Sequence, residues 1–336
     1  MAQKLNVALL YGGRSVEHEI SVRSAKNVAT YIDKESYNIF LIGISKTGSW
    51  FLNAFIDEKD AQIEVDVVFP VLHGTDGEDG SIQGLFKSMN LPVVGSGVLG
   101  SAISMDKIIS KKILKEGGVP VANYLAFNRS QKEEITYKEV ADELGLPFMV
   151  KSAALGSSVG VSMVKSESDF KTALEDSFRY DQNIILEEFV KGRELECAVI
   201  GNEQLKVSFP GEIIMIKDYD FYTYEAKYED GDAIEIKLPA EVDAETTERI
   251  RQNSMKAYQA LRCEDFARVD LFLKEDGSII VNEINTIPGF TSASMFPMMW
   301  QQMGMSYTEL ISELIQMCMQ RFNSSIDLET DFSVGN

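Results

Sequence analysis

At 336 residues the chain exceeds one ordinary hydrophobic core and suits two or three domains. Its 45% hydrophobic and 25% charged residues are those of a folding globular protein and exclude collagen-like or disordered classes. A net charge of −20, from 52 acidic and 32 basic side chains, excludes a protein that tracks a nucleic-acid backbone, and it requires any phosphate site to be a local gathering of lysines, amides or metal ions.

Residues 5–10 form a short apolar run that enters a turn at Gly12-Gly13, and 17–31 carries helical spacing, which makes a strand-turn-helix opening. Further apolar runs at 39–44, 65–72 and 92–94 alternate with polar or helical stretches, as the strands of βαβ units do, so 1–104 is expected to be an α/β domain on a parallel sheet. Residues 105–116 read as one helix closed by Gly117-Gly118, with Pro120 beyond it. Within 105–192 follow a helix at 137–144, strands at 148–151 and 161–164 around a glycine-bounded turn, a helix at 168–178 and a strand at 183–189, a small α+β unit. The remainder, 193–336, holds strands, a polar aromatic loop at 218–231, a helix at 243–261, a hairpin at 267–285 and a last helix at 306–321 with Leu310, Leu314 and Met317 at core-facing spacing.

Cys197, Cys263 and Cys318 are odd in number, far apart and outside any CxxC spacing, which argues against a disulfide framework or a zinc site. The run at 7–10 is broken by Arg14, Glu17, His18 and Glu19, too early for a signal-peptide core. No stretch reaches the roughly 18 uncharged apolar residues that span a bilayer. A cytoplasmic protein with no membrane or nucleic-acid partner is the expectation.

Three segments carry chemistry. In the hairpin ARVDLFLKEDGSIIVNEIN, a two-residue turn at Asp276-Gly277 would set Asp270 against Glu283 and Arg268 against Asn285, all on one face. Val269, Leu271, Leu273, Ile280, Asn282 and Ile284 then fall on the other, mostly apolar face. Two opposed carboxylates repel unless something positive lies between them. Asp, Glu and Asn offer oxygen ligands suited to Mg²⁺ shared with phosphates, although a solvated acidic face fits the spacing equally well. Next, Lys151 precedes Gly156-Ser157-Ser158-Val159-Gly160, whose amides can wrap a phosphate or can form a plain hairpin; it is not a Walker A loop. Finally, Glu187, Glu188 and Glu194 could accept from an adenine amino group and ribose hydroxyls, or could simply be solvated acids.

These pieces, with Lys107 in MDK, stand in the order used by ATP-grasp ligases. YGGRSVEHEISVRSA, HGTDGEDGSIQG from His73, FYTYEAKY from Phe221 and NTIPGFTSAS from Asn285 closely resemble the D-alanine–D-alanine ligase family, over roughly Leu5 to Phe322. The resemblance implies an ATP-grasp fold of three domains, 1–104, 105–192 and 193–336. ATP would lie between the last two, and two D-alanine molecules would bind at the junction with the first. It implies that Lys107 and Lys151 contact the phosphates under Ser157 and Ser158, with Glu187 and Val190 at the adenine region and Glu194 on the ribose. Asp270, Glu283 and Asn285 would hold two Mg²⁺ or Mn²⁺ ions. Glu17 would receive the first ammonium, Arg268 and the Gly289 amide the oxyanion, and Ser294 and Lys227 the second carboxylate, with His73 and Met295 lining that site. Lys227 would also approach the nucleotide. Glu17, Ser157 and Tyr228 would form a hydrogen-bonded triad, 218–231 would be a lid, and the protein would be a homodimer. His18 is expected at the surface. Ser152 and Met295 depart from the residues frequent in relatives without losing a polar group. A ligase using D-lactate or D-serine is the nearest rival, against which Tyr228 speaks, and a non-catalytic nucleotide-binding regulator would lack Arg268 or a metal ligand.

Overall fold

The computed structural model describes residues 3–53, 64–157, 159–217 and 232–326. In the first sheet β1 (Leu5–Gly12) lies parallel to β2 (Tyr37–Ile44) and to β4 (Val67–Pro70), while β3 (Trp50–Asn53) runs antiparallel at the edge. Both faces of β1 are covered, which is why Val7 to Leu10 read as a continuous apolar run. Val7 and Leu9 enter one core and Ala8 and Leu10 another, the latter shared with Ile82 and Phe86. Helix α1 (His18–Tyr31) follows a turn at Gly12, where φ is +93° and a Cβ would stand 2.2 Å from the Ile44 carbonyl oxygen. The run at 92–94 contributes one bridge, Val93 to Val68, rather than a strand.

Helices α2 (Ser81–Ser88) and α3 (Val98–Met105) were not apparent from periodicity, and the expected helix at 105–116 is a junction. Asp106 ends α3 in an extended conformation and caps α4 (Lys107–Glu116), its carboxylate accepting from the amides of Ile108 and Ile109. Capping by Asp is worth about 1 kcal/mol here, and the break redirects the chain so that Lys107 and Lys111 leave one face of α4 at i,i+4 spacing.

The second sheet is antiparallel, in the order β5 (Tyr124–Asn128), β8 (Asn183–Glu188), β6 (Phe148–Ser152), β7 (Val161–Val164). Helices α5 (Tyr137–Leu144) and α6 (Glu167–Tyr180) complete its core through Val140, Leu144, Phe170, Leu174 and Phe178. The third sheet has six strands: β12 (Ile234–Lys237), β11 (Gly211–Met215), β9 (Arg193–Ile200), β13 (Phe266–Leu273) and β14 (Ile279–Asn285), with β10 (Lys206–Val207) pairing to β9. Helix α7 (Ala244–Ala260) packs on it through Ile250, Ala257 and Tyr258. Helices α8 (Met295–Gln302) and α9 (Tyr307–Ile326) close a core that joins Val7, Leu9 and Phe69 of the first sheet to Ala198, Ile200 and Phe266 of the third.

The hairpin corrects one expectation and preserves another. Lys274 donates to the Ser278 carbonyl and Leu273 faces Ile279, so the loop is the three residues 275–277 rather than a two-residue turn, with Gly277 at φ +79°. A bulge between Asp270 and Leu271 places the extra residue, Asn282, in β14 and restores the register, so that Asp270 does face Glu283 and Arg268 does face Asn285. Beyond the bulge the faces are exchanged. Ile279 and Val281 are buried in the core, whereas Ile280 and Asn282, expected on the apolar face, line a cleft.

Candidate active site

Two clefts meet above the third sheet. The first, of about 400 Å³, lies between the second and third sheets and is lined by Lys107, Lys151, Ser157, Glu187, Val190, Glu194, Asp270 and Glu283 among others. The second, of about 850 Å³, opens toward α1 and is lined by Glu17, His73, Ser157, Arg268, Glu283, Asn285, Gly289, Ser294 and Met295. Every described candidate residue therefore borders one cleft or both, and Gly156, Ser157, Glu196, Ile213 and Glu283 border both. Ser158, Lys227, Tyr228 and the whole candidate lid at 218–231 lie outside the described residues.

In the first cleft Lys151 leaves β6 beside Glu187 of β8, at 2.6 Å between Nζ and Oε2. Lys111 of α4 meets the other carboxylate oxygen at 3.0 Å. Burial alone would raise the Glu187 carboxyl, but Lys111 and Lys151 outweigh it and hold it at about 2. For Lys151 burial lowers the ammonium, and Glu187, Glu283 and Glu194 more than reverse this. Lys107 donates to the Leu155 carbonyl at 2.6 Å and stands 3.5 Å from Glu283 Oε2. The loop between β6 and β7 is thus held from below by a lysine, with Ser157 at φ +54°. Ser152 donates to the Ser177 carbonyl beneath that loop.

On the floor, register places Glu196, Asp270 and Glu283 in one row across β9, β13 and β14. Arg268, one pair further along the same face, grips both oxygens of Asp270 at 2.7 Å and reaches Glu196 Oε2 at 3.0 Å. Burial lowers the guanidinium, but Asp270 and Glu196 prevail and keep it well above its ordinary value. Asn285 donates through Nδ2 to Asp270 at 3.0 Å, which leaves its Oδ1 for another ligand. The opposed carboxylates are thus already partly balanced by Arg268 and Lys107. Their donor set is all oxygen and suits a hard cation, and among the described residues no cluster of three or more His, Cys, Asp or Glu forms a closed metal site. Such a cation would depend on phosphate and water for its remaining ligands.

In the second cleft Ser157 donates to Glu17 Oε1, joining the loop of the second sheet to the start of α1. Gly289 packs against Ser294, whose Oγ would be 2.7 Å from an added Cβ, and Ser294 Oγ also accepts from the Thr291 amide. His73 is buried, with Nδ1 2.8 Å from the Ile287 carbonyl and Nε2 3.1 Å from Ser24 Oγ. A carbonyl can only accept, so Nδ1 carries the proton and Nε2 accepts from Ser24, whose oxygen in turn accepts from the Phe290 amide. This fits a neutral ring, and burial lowers its pKa accordingly. His18, expected at the surface, is half-buried and bonds the Gly13 carbonyl.

Sequence reasoning missed Lys111, Glu78 and Glu196. Lys111 repeats Lys107 at i+4, and Glu196 repeats Glu194 at i+2, so both were readable from period alone. Glu78 had no such signal: it accepts from the amides of Gly74 and Ile287, clamping the first sheet's loop to the residue that His73 also holds. Burial and the facing Glu17 push the Glu78 carboxyl up to about 8. The folded protein therefore holds a proton that the unfolded chain releases above about 4.5, and the associated stability is lost as pH rises through about 8. Melting temperature is expected to fall between pH 6 and 9 by several degrees more in the parent than in Glu78→Gln; equal slopes would remove Glu78 as the cause.

A nucleotide-sized cleft between an antiparallel sheet and a second sheet, with lysines on one wall and acids on the other, is the arrangement of the ATP-grasp class. Within that class the chain belongs to the D-alanine–D-alanine ligase family: the model described as D-ala D-ala ligase C-terminus matches 113–316, and that described as D-ala D-ala ligase N-terminus matches 6–61 and 53–96. It is 43% identical to the D-alanine–D-alanine ligase of Shouchella clausii, covering 98% of both chains, and 41% identical to D-alanine–D-alanine ligase A of Escherichia coli K12, covering 98% and 99%. Among solved structures it is similar to the D-alanine–D-alanine ligase from Coxiella burnetii (35% identity, 96% and 97% coverage, TM-score 0.85). It is also similar to the VanG D-Ala:D-Ser ligase from Enterococcus faecalis (34% identity, 94% and 100% coverage, TM-score 0.85).

Proposed function

We propose that the chain joins two D-alanine molecules at the expense of ATP, giving D-alanyl-D-alanine, ADP and phosphate, and so supplies a dipeptide for peptidoglycan precursor synthesis. The observation that carries this reading is the meeting, at Ser157 and Glu283, of a lysine-lined cleft and a second cleft that presents Glu17, Arg268 and Ser294. A carboxylate bound beside Arg268 would there face a γ-phosphate bound beside Lys107 and Lys151. Its attack releases ADP and forms an acyl phosphate; attack by the second amine on that carbonyl then releases phosphate.

Glu17 would receive the first ammonium, and Arg268 with the Gly289 amide would meet the negative oxygen that develops at the carbonyl. Ser294 and Lys227 would bind the second carboxylate beside His73 and Met295, and Tyr228 would complete the link of Glu17 to Ser157. Val190, Glu194 and Ser158 would hold the nucleotide, with Glu187 at the adenine region while it also orients Lys151. Asp270, Glu283 and Asn285 would bind two Mg²⁺ or Mn²⁺ ions, which when bound offset the charge between substrate carboxylate and phosphate. Domain limits at 104 and 192, the lid at 218–231, a homodimer and a cytoplasmic location complete the proposal; among the described residues no helix is long and apolar enough to cross a membrane.

Phosphate release and product analysis with D-alanine, D-serine, D-lactate and L-alanine test the reading. D-alanine alone is expected to suffice. No ATP turnover with D-alanine would refute it, whereas turnover that requires D-serine would favour the second reading suggested by the D-Ala:D-Ser relative.

A further inference from the structure

Lys111 is 1% exposed, borders neither cleft, and yet touches two residues that border the first. Its ammonium lies 3.0 Å from Glu187 Oε1 on β8 and donates at 3.3 Å to the carbonyl of Asn282, the bulge residue of β14. Glu187 and Asn282 stand on opposite walls, one on the second sheet and one on the third. The chain beyond α4 is itself fastened to β14, because the Val281 amide donates to the Pro120 carbonyl and Val121 bridges Val281. A buried ammonium is costly to desolvate, and an apolar side chain of similar length would fill the same space without that penalty. The charge is matched instead by Glu187, which also orients Lys151.

We propose that Lys111 is a positioning residue for the nucleotide: it spans the two walls of the cleft from behind and shares Glu187 with Lys151, so that the Lys151 ammonium and the β14 bulge are held in register before ATP arrives. This rests on the reading of the first cleft as the ATP site. Loss of Lys111 leaves Glu187 with a single buried partner, draws Lys151 fully onto it, and uncouples the bulge that carries Asn282 and Glu283.

The test compares the parent, Lys111→Met and Lys111→Gln, the latter an uncharged donor too short to span both partners. ADP and ATP affinity are measured by calorimetry, and KM is measured separately for ATP and D-alanine. A Leu314→Ala variant in the distant α9 core, chosen for a comparable loss of melting temperature, controls for general destabilisation. Both Lys111 variants are expected to weaken nucleotide binding and raise KM for ATP by about tenfold or more. KM for D-alanine should stay within about twofold, and the Leu314 control should keep parental nucleotide affinity. Parental affinity in a folded Lys111 variant, equal rises in both KM values, the same loss in the control, or failure of both variants to fold would each overturn the assignment. A parent that binds no nucleotide would overturn the reading of the cleft itself.

Discussion

Glu283→Gln is expected to lower phosphate release at least about a hundredfold while the protein stays folded. Glu283 borders both clefts, faces Asp270 across the hairpin and stands 3.5 Å from Lys107 Nζ. Glutamine retains its shape and one carbonyl oxygen but withdraws a negative charge from the point where a substrate carboxylate and a phosphate would meet, and it weakens any hard cation held there. Removing a charge from a row of carboxylates also relieves repulsion, so melting temperature should change little or rise. Turnover within about threefold of the parent, worth under roughly 1 kcal/mol, would sink the role assigned to this side chain.

Arg268→Met should damage both stability and catalysis. The guanidinium is the counter-ion of Asp270 and Glu196, and without it two poorly solvated carboxylates face each other in the cross-strand row with Glu283. Removing one partner of such a group typically costs about 3–5 kcal/mol, read as a fall in denaturant midpoint. Turnover should fall by about 10²–10³-fold with the loss of the oxyanion partner. Arg268→Lys restores the charge but not the two-pronged grip on Asp270 and should lie between parent and methionine variant. A methionine variant as stable as the parent would argue that repulsion among these acids is not what Arg268 relieves.

Much of the architecture was legible because period and burial agree in most elements. The alternation of β13 placed Arg268 and Asp270 on the polar face, and the short apolar run of β1 before Gly12-Gly13 marked a strand entering a turn and a helix. Helix α3 escaped because its buried positions Gly100, Ser101 and Ser104 are small and polar, so it packs closely without an apolar stripe. The Asn282 bulge escaped because a period of two assumes a regular ladder; the expected turn length and the missing bulge were compensating errors, which is why the site register came out correctly while Ile280 did not. Glu78 was passed over because an isolated charged residue is ordinarily solvated and only tertiary structure reveals a buried partner; Lys111 and Glu196 stood at readable spacing, but spacing does not tell a buried charge from a solvated one.

The core that joins Val7, Leu9 and Phe69 to Phe290, Leu310 and Leu314 bears on how the molecule is made. That face of the first sheet shares its cover between α1, through Ala25, Val28 and Ile32, and helices encoded much later, so the sheet remains only partly covered until α8 and α9 are made. Contacts of such long sequence separation form slowly and leave aggregation-prone surface waiting for its partner. Emergence of α9, rather than synthesis of the first hundred or so residues, is therefore the step at which the first sheet can acquire its native stability, and fragments that stop short of α9 should demand chaperones.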